Sequence, residues 1–147
     1  MERINLESPV VQGYLNILQN VIGRMATDSA ACKTWCITLV SAIVVVVATR
    51  GTPDCVWISL MPVVLFLFLD AYYLVLERHF RKLYNDFTQD VREGTVSAED
   101  AFVITPISSA TQLVSSINAA LKSVSIWPFY GMVLLTLLVT RYAILKN

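Results

Sequence analysis

Asp70, Tyr73, Glu77, Arg81 and Tyr84 follow one another at intervals of three and four residues. On a helix those intervals place two carboxylates, a guanidinium and two phenols along one face. Such a face could line the mouth of a water-filled path and act there as a vestibule or gate. The plainer alternative is a local network, with Glu77 pairing to Arg81 at i,i+4 and Asp70 reaching out to water. The surrounding stretch, "LFLFLDAYYLVLERHFRKLYND" from 65 to 86, is apolar before the acid and basic after it. A carboxylate at the centre of a membrane helix costs about 2.5 to 3.5 kcal/mol, and such residues face a protein interior or a wet cavity. Asp70 stands toward one end of its apolar run, where the cost is lower.

The densest basic cluster is "RHFRK", Arg78 to Lys82. It reads first as a lipid-headgroup anchor, worth about 1 kcal/mol per basic residue near anionic lipid. The other reading is an anion or nucleic-acid site, with His79, Phe80 or Tyr84 available to stack on bases. Thr34, Thr38 and Ser41 share one face of a first apolar run, and Thr136 and Thr140 share one face of a third. Small hydroxyl residues favour helix packing in lipid, and they could also wet a pore. Cys32, Cys36 and Cys55 are too few for a disulfide framework or a metal centre and read as small apolar residues. No phosphate loop, acid pair or metal cluster stands in the sequence, and Tyr72 and Tyr73 beside Asp70 have no nucleophile or base network. The expectation is a chain that is not an enzyme and needs no cofactor or metal.

The elements that would position these residues follow from the apolar runs. Of 147 residues, 56% are hydrophobic and 15% charged, against about 25% charged in ordinary soluble domains. That composition, with the apolar residues clumped, predicts an all-α integral membrane protein with three transmembrane helices. The predicted segments are an amphipathic cytoplasmic helix within 1–33, spans at 34–50, 55–77 and 125–145, and a cytoplasmic helical hairpin or stalk at 78–124. Ser8 and Pro9 suit an N-cap and first helical position. Val11, Tyr14, Leu15, Leu18, Val21, Ile22 and Met25 form an apolar stripe after them, suited to the membrane interface, to a partner or to the protein's own stalk. "RGTPD" is a tight turn joining the first two spans as an antiparallel hairpin. No Gly or Pro interrupts 78–93, so the second helix is predicted to run as one rod from about Cys55 to Glu93. Ser97 and Asp100 suggest a capping-box-like start. Ile107, Ala110, Val114, Ile117, Leu121 and Val124 predict a return helix, and Pro128 should start or kink the third span.

Arg3, Arg24 and Lys33 precede the first span, and Arg78, Arg81, Lys82, Arg92 and Lys122 lie between the second and third. Only Arg50, Arg141 and Lys146 fall on the other side. The imbalance puts the N-terminus and the stalk in the cytoplasm and the C-terminus outside. The polar opening "MERINLESPV" lacks the basic start of a secretory signal, so the N-terminus is expected to be retained.

The stretch "LDAYYLVLERHFRKLYNDF" resembles the small transmembrane effectors that bacterial antiphage defence systems encode beside a nucleotidyltransferase, the Hailong effector class. The resemblance covers about residues 65 to 92. It implies a homo-oligomeric channel of the bacterial inner membrane, held inactive by single-stranded DNA or nucleotide oligomers that the partner enzyme makes. It turns Arg78, Arg81, Lys82, Arg92 and Lys122 into candidate phosphate contacts. The expected function is therefore a channel that depolarises the membrane in antiviral defence, with Asp70, Tyr73, Glu77, Thr34, Thr38 and Ser41 as pore or gate candidates. A non-conducting scaffold or anchor subunit of a larger membrane complex is the alternative.

Overall fold

The computed structural model describes residues 8–95 and 110–146. They form α1 (Pro9–Arg50), a 3-10 segment (Pro53–Ser59), α2 (Leu60–Glu93), α3 (Ala110–Leu121) and α4 (Trp127–Lys146), with no strand among the described residues. The described chain is thus all-helical, as expected. Two stretches, Pro9–Arg50 and Asp54–Glu93, are long and apolar enough to cross a membrane. The third expected span is met by a helix, α4, but among the described residues no third stretch meets that length and apolarity.

The first correction concerns the start of the chain. The amphipathic helix and the first span are not separate elements; α1 is one helix of 42 residues, about 63 Å long at 1.5 Å per residue. Nothing between Ser8 and Arg50 breaks it, because Gly13 and Gly23 are single glycines with helix formers on both sides. Ser8 sits at the N-cap with Pro9 after it, although its side chain makes no capping bond. Gly51 ends the helix in the left-handed region, at φ 63, where an L side chain costs about 1 to 2 kcal/mol.

The second correction concerns the start of the rod. Its end is as expected, with Gly94 at φ 71 capping Glu93. Its beginning is a 3-10 segment over Pro53–Ser59, and the α-helix starts only at Leu60. Pro62 explains the change. It has no N–H to give the carbonyl four residues back, so a continuous α-ladder through 55–62 would lack a bond.

Helices α1 and α2 lie antiparallel. Gln19 Nε2 donates to the Tyr84 hydroxyl at 3.1 Å, and the Tyr14 and Phe87 rings meet edge to face at 4.6 Å. The apolar stripe of the first half of α1 is therefore covered by the second half of α2. Val11, Tyr14 and Leu18 are buried there, and burial pushes the Tyr14 phenol above its ordinary value. Where three destinations were open for this stripe, the protein's own stalk takes it.

Helix α3 packs on α2, but its buried face is shifted from the expected one. Ile117 and Ala120 are buried, with Leu113 and Leu121 packed beside them, whereas Val114 and Val124 are exposed. The spacing 113, 117, 120, 121 follows the helical period with a different phase. The expected Ser97–Asp100 cap and Ile107 lie outside the described residues. Helix α4 starts at Trp127 with Pro128 in its first turn, as expected. It returns along the hairpin, so that Arg141 Nη2 reaches Asp54 at 3.2 Å and the guanidinium lies 5.3 Å from the Trp57 ring centre.

Replacing Leu18 (0% exposed) by Ala is expected to destabilise the α1–α2 contact by about 2 to 5 kcal/mol. The same change at Ile17 (46% exposed) should cost well under 1 kcal/mol. Unfolding midpoints of the purified chain in detergent, wild type beside each variant, check the pair. Equal effects would remove α2 as the partner of this stripe.

Candidate functional site

The expected polar stripe on α2 exists, but it does not face water along its length. Asp70, at its apolar end, is buried to 1% exposure. Ser29 Oγ donates to Asp70 Oδ1. Lys33 Nζ donates to the same oxygen at 2.9 Å and to Ser29 Oγ at 3.2 Å. The ammonium also stands 2.7 Å from Oδ2 as an ion pair. That contact satisfies Oδ2 by charge rather than by a well-angled hydrogen bond. The expectation that Asp70 reaches out to water is thus corrected. A carboxylate buried to that degree finds no water to reach, and a lysine on the neighbouring helix is its stabilising partner.

Ser29 and Lys33 are one helical turn apart on α1 and project toward the same point of α2. The Lys33 side chain remains 22% exposed, so its stem lies along apolar surface while its charge serves Asp70. Tyr130 of α4 adjoins this cluster. Its hydroxyl is buried and interacts with Asp70. Three helices therefore converge on one carboxylate.

The same antiparallel register fixes the rest of the stripe. Lys33 and Gln19 are 14 residues apart on α1, and their partners Asp70 and Tyr84 are 14 apart on α2. Both ends of the stripe are thus joined to α1. Between them Glu77 accepts from Arg81 Nε at 2.8 Å, as the local-network reading expected. Tyr73 is half-buried, with its ring 5.9 Å from that of Tyr72.

The other candidates are distributed as follows. Thr34 Oγ1 donates to the Ala30 carbonyl at 3.2 Å and Thr38 Oγ1 to the Thr34 carbonyl at 2.9 Å. Thr136 and Thr140 bond their own helix in the same way. Hydroxyls satisfied within one helix can face an apolar medium without loss. Ser41 is exposed. None of the three α1 hydroxyls joins the Asp70 cluster. Arg78 Nη2 donates to Ser123 Oγ at 2.8 Å, which ties α2 to the turn between α3 and α4. That contact brings Arg78 beside the turn that carries Lys122. Lys82, Arg92 and Lys122 are exposed, and Arg92 lies in the last turn of α2, where a cation is favoured. Among the described residues, no group of three or more His, Cys, Asp and Glu side chains gathers.

Sequence reasoning missed Ser29, Lys33 and Tyr130. A signal for Lys33 was present. In an antiparallel hairpin turning at Gly51–Thr52, the residue opposite Asp70 is found by reflection about the turn, and that residue is 33.

Comparison with protein-family models, with curated proteins and with solved structures finds no match.

A double-mutant cycle on the pair is informative. Lys33→Met alone leaves a buried carboxylate uncompensated and is expected to cost about 3 kcal/mol or more. Lys33→Met combined with Asp70→Asn should recover most of that loss. Thermal midpoints in detergent read all four corners. Additive losses would show that the two side chains do not depend on each other.

Proposed function

We propose that the chain is an integral membrane effector that assembles as a homo-oligomer and permeabilises or depolarises the membrane holding it. The observation that carries this reading is the Lys33–Asp70 pair, buried between two apolar helices. Ionisable residues at membrane depth are expensive and mark ion paths and switches more often than anchors. From Lys33 to Arg50 is 17 residues, about 26 Å along α1, close to the apolar thickness of about 30 Å. The pair therefore belongs near the cytoplasmic edge of the apolar layer, where Lys33 can also reach polar surroundings.

Exposed apolar side chains support the bilayer setting. Only 22% and 28% of the most apolar windows of the two candidate spans are buried, far from what the core of a soluble domain requires. Val45, Val46, Met61, Val64, Leu65 and Phe68 are each more than half exposed. On α4, Met132, Leu135, Leu138 and Val139 are exposed in the same way, which supports α4 as a third, shorter crossing. Trp35 and Trp127 stand exposed toward one end of the helices and Trp57 and Tyr142 toward the other, as interface aromatics do.

In this reading the membrane is the bacterial inner membrane, the N-terminus and stalk are cytoplasmic and the C-terminus is outside. Asp70 acts as a latch rather than as an open pore lining. Parting α1 from α2 would expose a carboxylate and an ammonium together and admit water between the helices. Arg78, Arg81, Lys82, Arg92 and Lys122 would bind an acidic ligand, a nucleotide or a single-stranded DNA oligomer, that biases the latch. This assignment rests on the resemblance and on the basic surface. A scaffold subunit is the second reading, and the sealed state of Asp70 favours it.

Membrane potential in bacterial cells induced to express the chain separates the two. The channel reading expects depolarisation by wild type, with the rate changed by Asp70→Asn or Lys33→Met at equal protein level. Arg81→Ala should change the ligand dependence and leave assembly intact. Unchanged potential in all cells, together with purification as a monomer or dimer, would leave the scaffold.

A further inference from the structure

At the other end of the α1–α2 hairpin lies a groove of about 370 Å³. Ile43, Val46 and Val47 on successive turns of α1 form one side, Cys55 and Ile58 of the 3-10 segment form the other, and Arg50 closes one end. The lining of α1 spans two turns, about 12 Å along the axis, so the groove runs parallel to the helix. Val46 and Ile58 are themselves more than half exposed, so the groove opens sideways onto the apolar surface of the protein.

The polar end of the groove has one sign of charge. Arg50 is the last residue of α1, directly before Gly51, and lines the groove. Among the described residues, the Arg50 side chain has no ion-pair or hydrogen-bond partner, and it is exposed. The nearest acid in sequence, Asp54, is engaged instead by Arg141 at 3.2 Å. An apolar furrow two helical turns long, ending in an uncompensated cation at the expected height of the headgroups, has the polarity of a phospholipid with a negative head.

We infer that this groove is a binding site for an anionic phospholipid, with an acyl chain lying along Ile43, Val46 and Val47 and the phosphate on Arg50. The inference rests on the membrane reading given above. A second copy of the chain is a poorer occupant, because the exposed apolar faces around Met61, Val64, Leu65 and Phe68 carry no carboxylate to meet Arg50.

The test uses the full chain and dioleoylphosphatidylglycerol. Flotation with vesicles of dioleoylphosphatidylcholine containing that lipid establishes insertion. Native mass spectrometry in detergent then measures retained phosphatidylglycerol. Wild type should hold the lipid. Arg50→Gln should weaken it about fivefold, the effect of one basic residue near anionic lipid. Ala42→Phe, which fills the groove, should abolish it without lowering the thermal midpoint. Arg24→Gln, an exposed arginine on the stalk side of α1, should change nothing. Binding equal to wild type in both groove variants overturns the site while leaving the membrane reading intact. An Ala42→Phe chain that loses oligomers but keeps the lipid also overturns it, since a second copy would then fill the groove. Failure of the wild-type chain to float overturns the membrane reading and the site with it.

Discussion

A carboxylate cannot stay ionised in an apolar layer without a partner, and Asp70 has its partner on another helix. The Lys33–Asp70 contact fixes where α1 and α2 meet along their lengths. It also fixes rotation, because Ser29 and Lys33 must present one face of α1 to one face of α2. Once that register is set, Gln19 falls opposite Tyr84 and Tyr14 beside Phe87. Apolar packing alone specifies register weakly in lipid, where every valine is equally well placed a turn higher or lower. A buried ion pair adds little net stability but makes the wrong alignment costly.

The hairpin places three layers of chemistry in order. The turn at residues 50–59 carries Arg50, Asp54 and Trp57, with Arg141 of α4 fastened to it. An apolar layer follows, with valines and leucines exposed on α1, α2 and α4. The Asp70 cluster then marks the boundary beyond which the helices turn polar, and Arg78, Lys82 and Lys122 lie past it. Arg78 and Asp70 share α2 and are two turns apart, on either side of that boundary.

Helix α4 is held differently from the other two. Its described anchors are at its ends: Tyr130 beside the Asp70 cluster and Arg141 on Asp54. Tyr130 brings its buried hydroxyl into interaction with the Asp70 carboxylate. Between those two ends Val133 and Leu137 are buried in the core that α4 shares with the α1–α2 hairpin.

Much of this was legible from residue types and spacing. Apolar runs, the turn "RGTPD", Gly94 and Pro128 gave the all-helical class, the hairpin and two helix boundaries, because these depend on local backbone preferences. The Glu77–Arg81 pair was legible for the same reason, being one turn apart. The partner of Asp70 was not read, since it lies 37 residues away and only the antiparallel register brings it near. The continuity of α1 was hidden because a change from amphipathic to wholly apolar sequence looks like a boundary, although nothing in the backbone breaks there. The 3-10 start of α2 turned on Pro62 and one missing N–H. Residue types thus settled which groups must avoid lipid and which must find a partner. The choice among possible partners, and so the conversion of Asp70 from a wetted lining to a buried, paired carboxylate, came from the packing of helices distant in sequence.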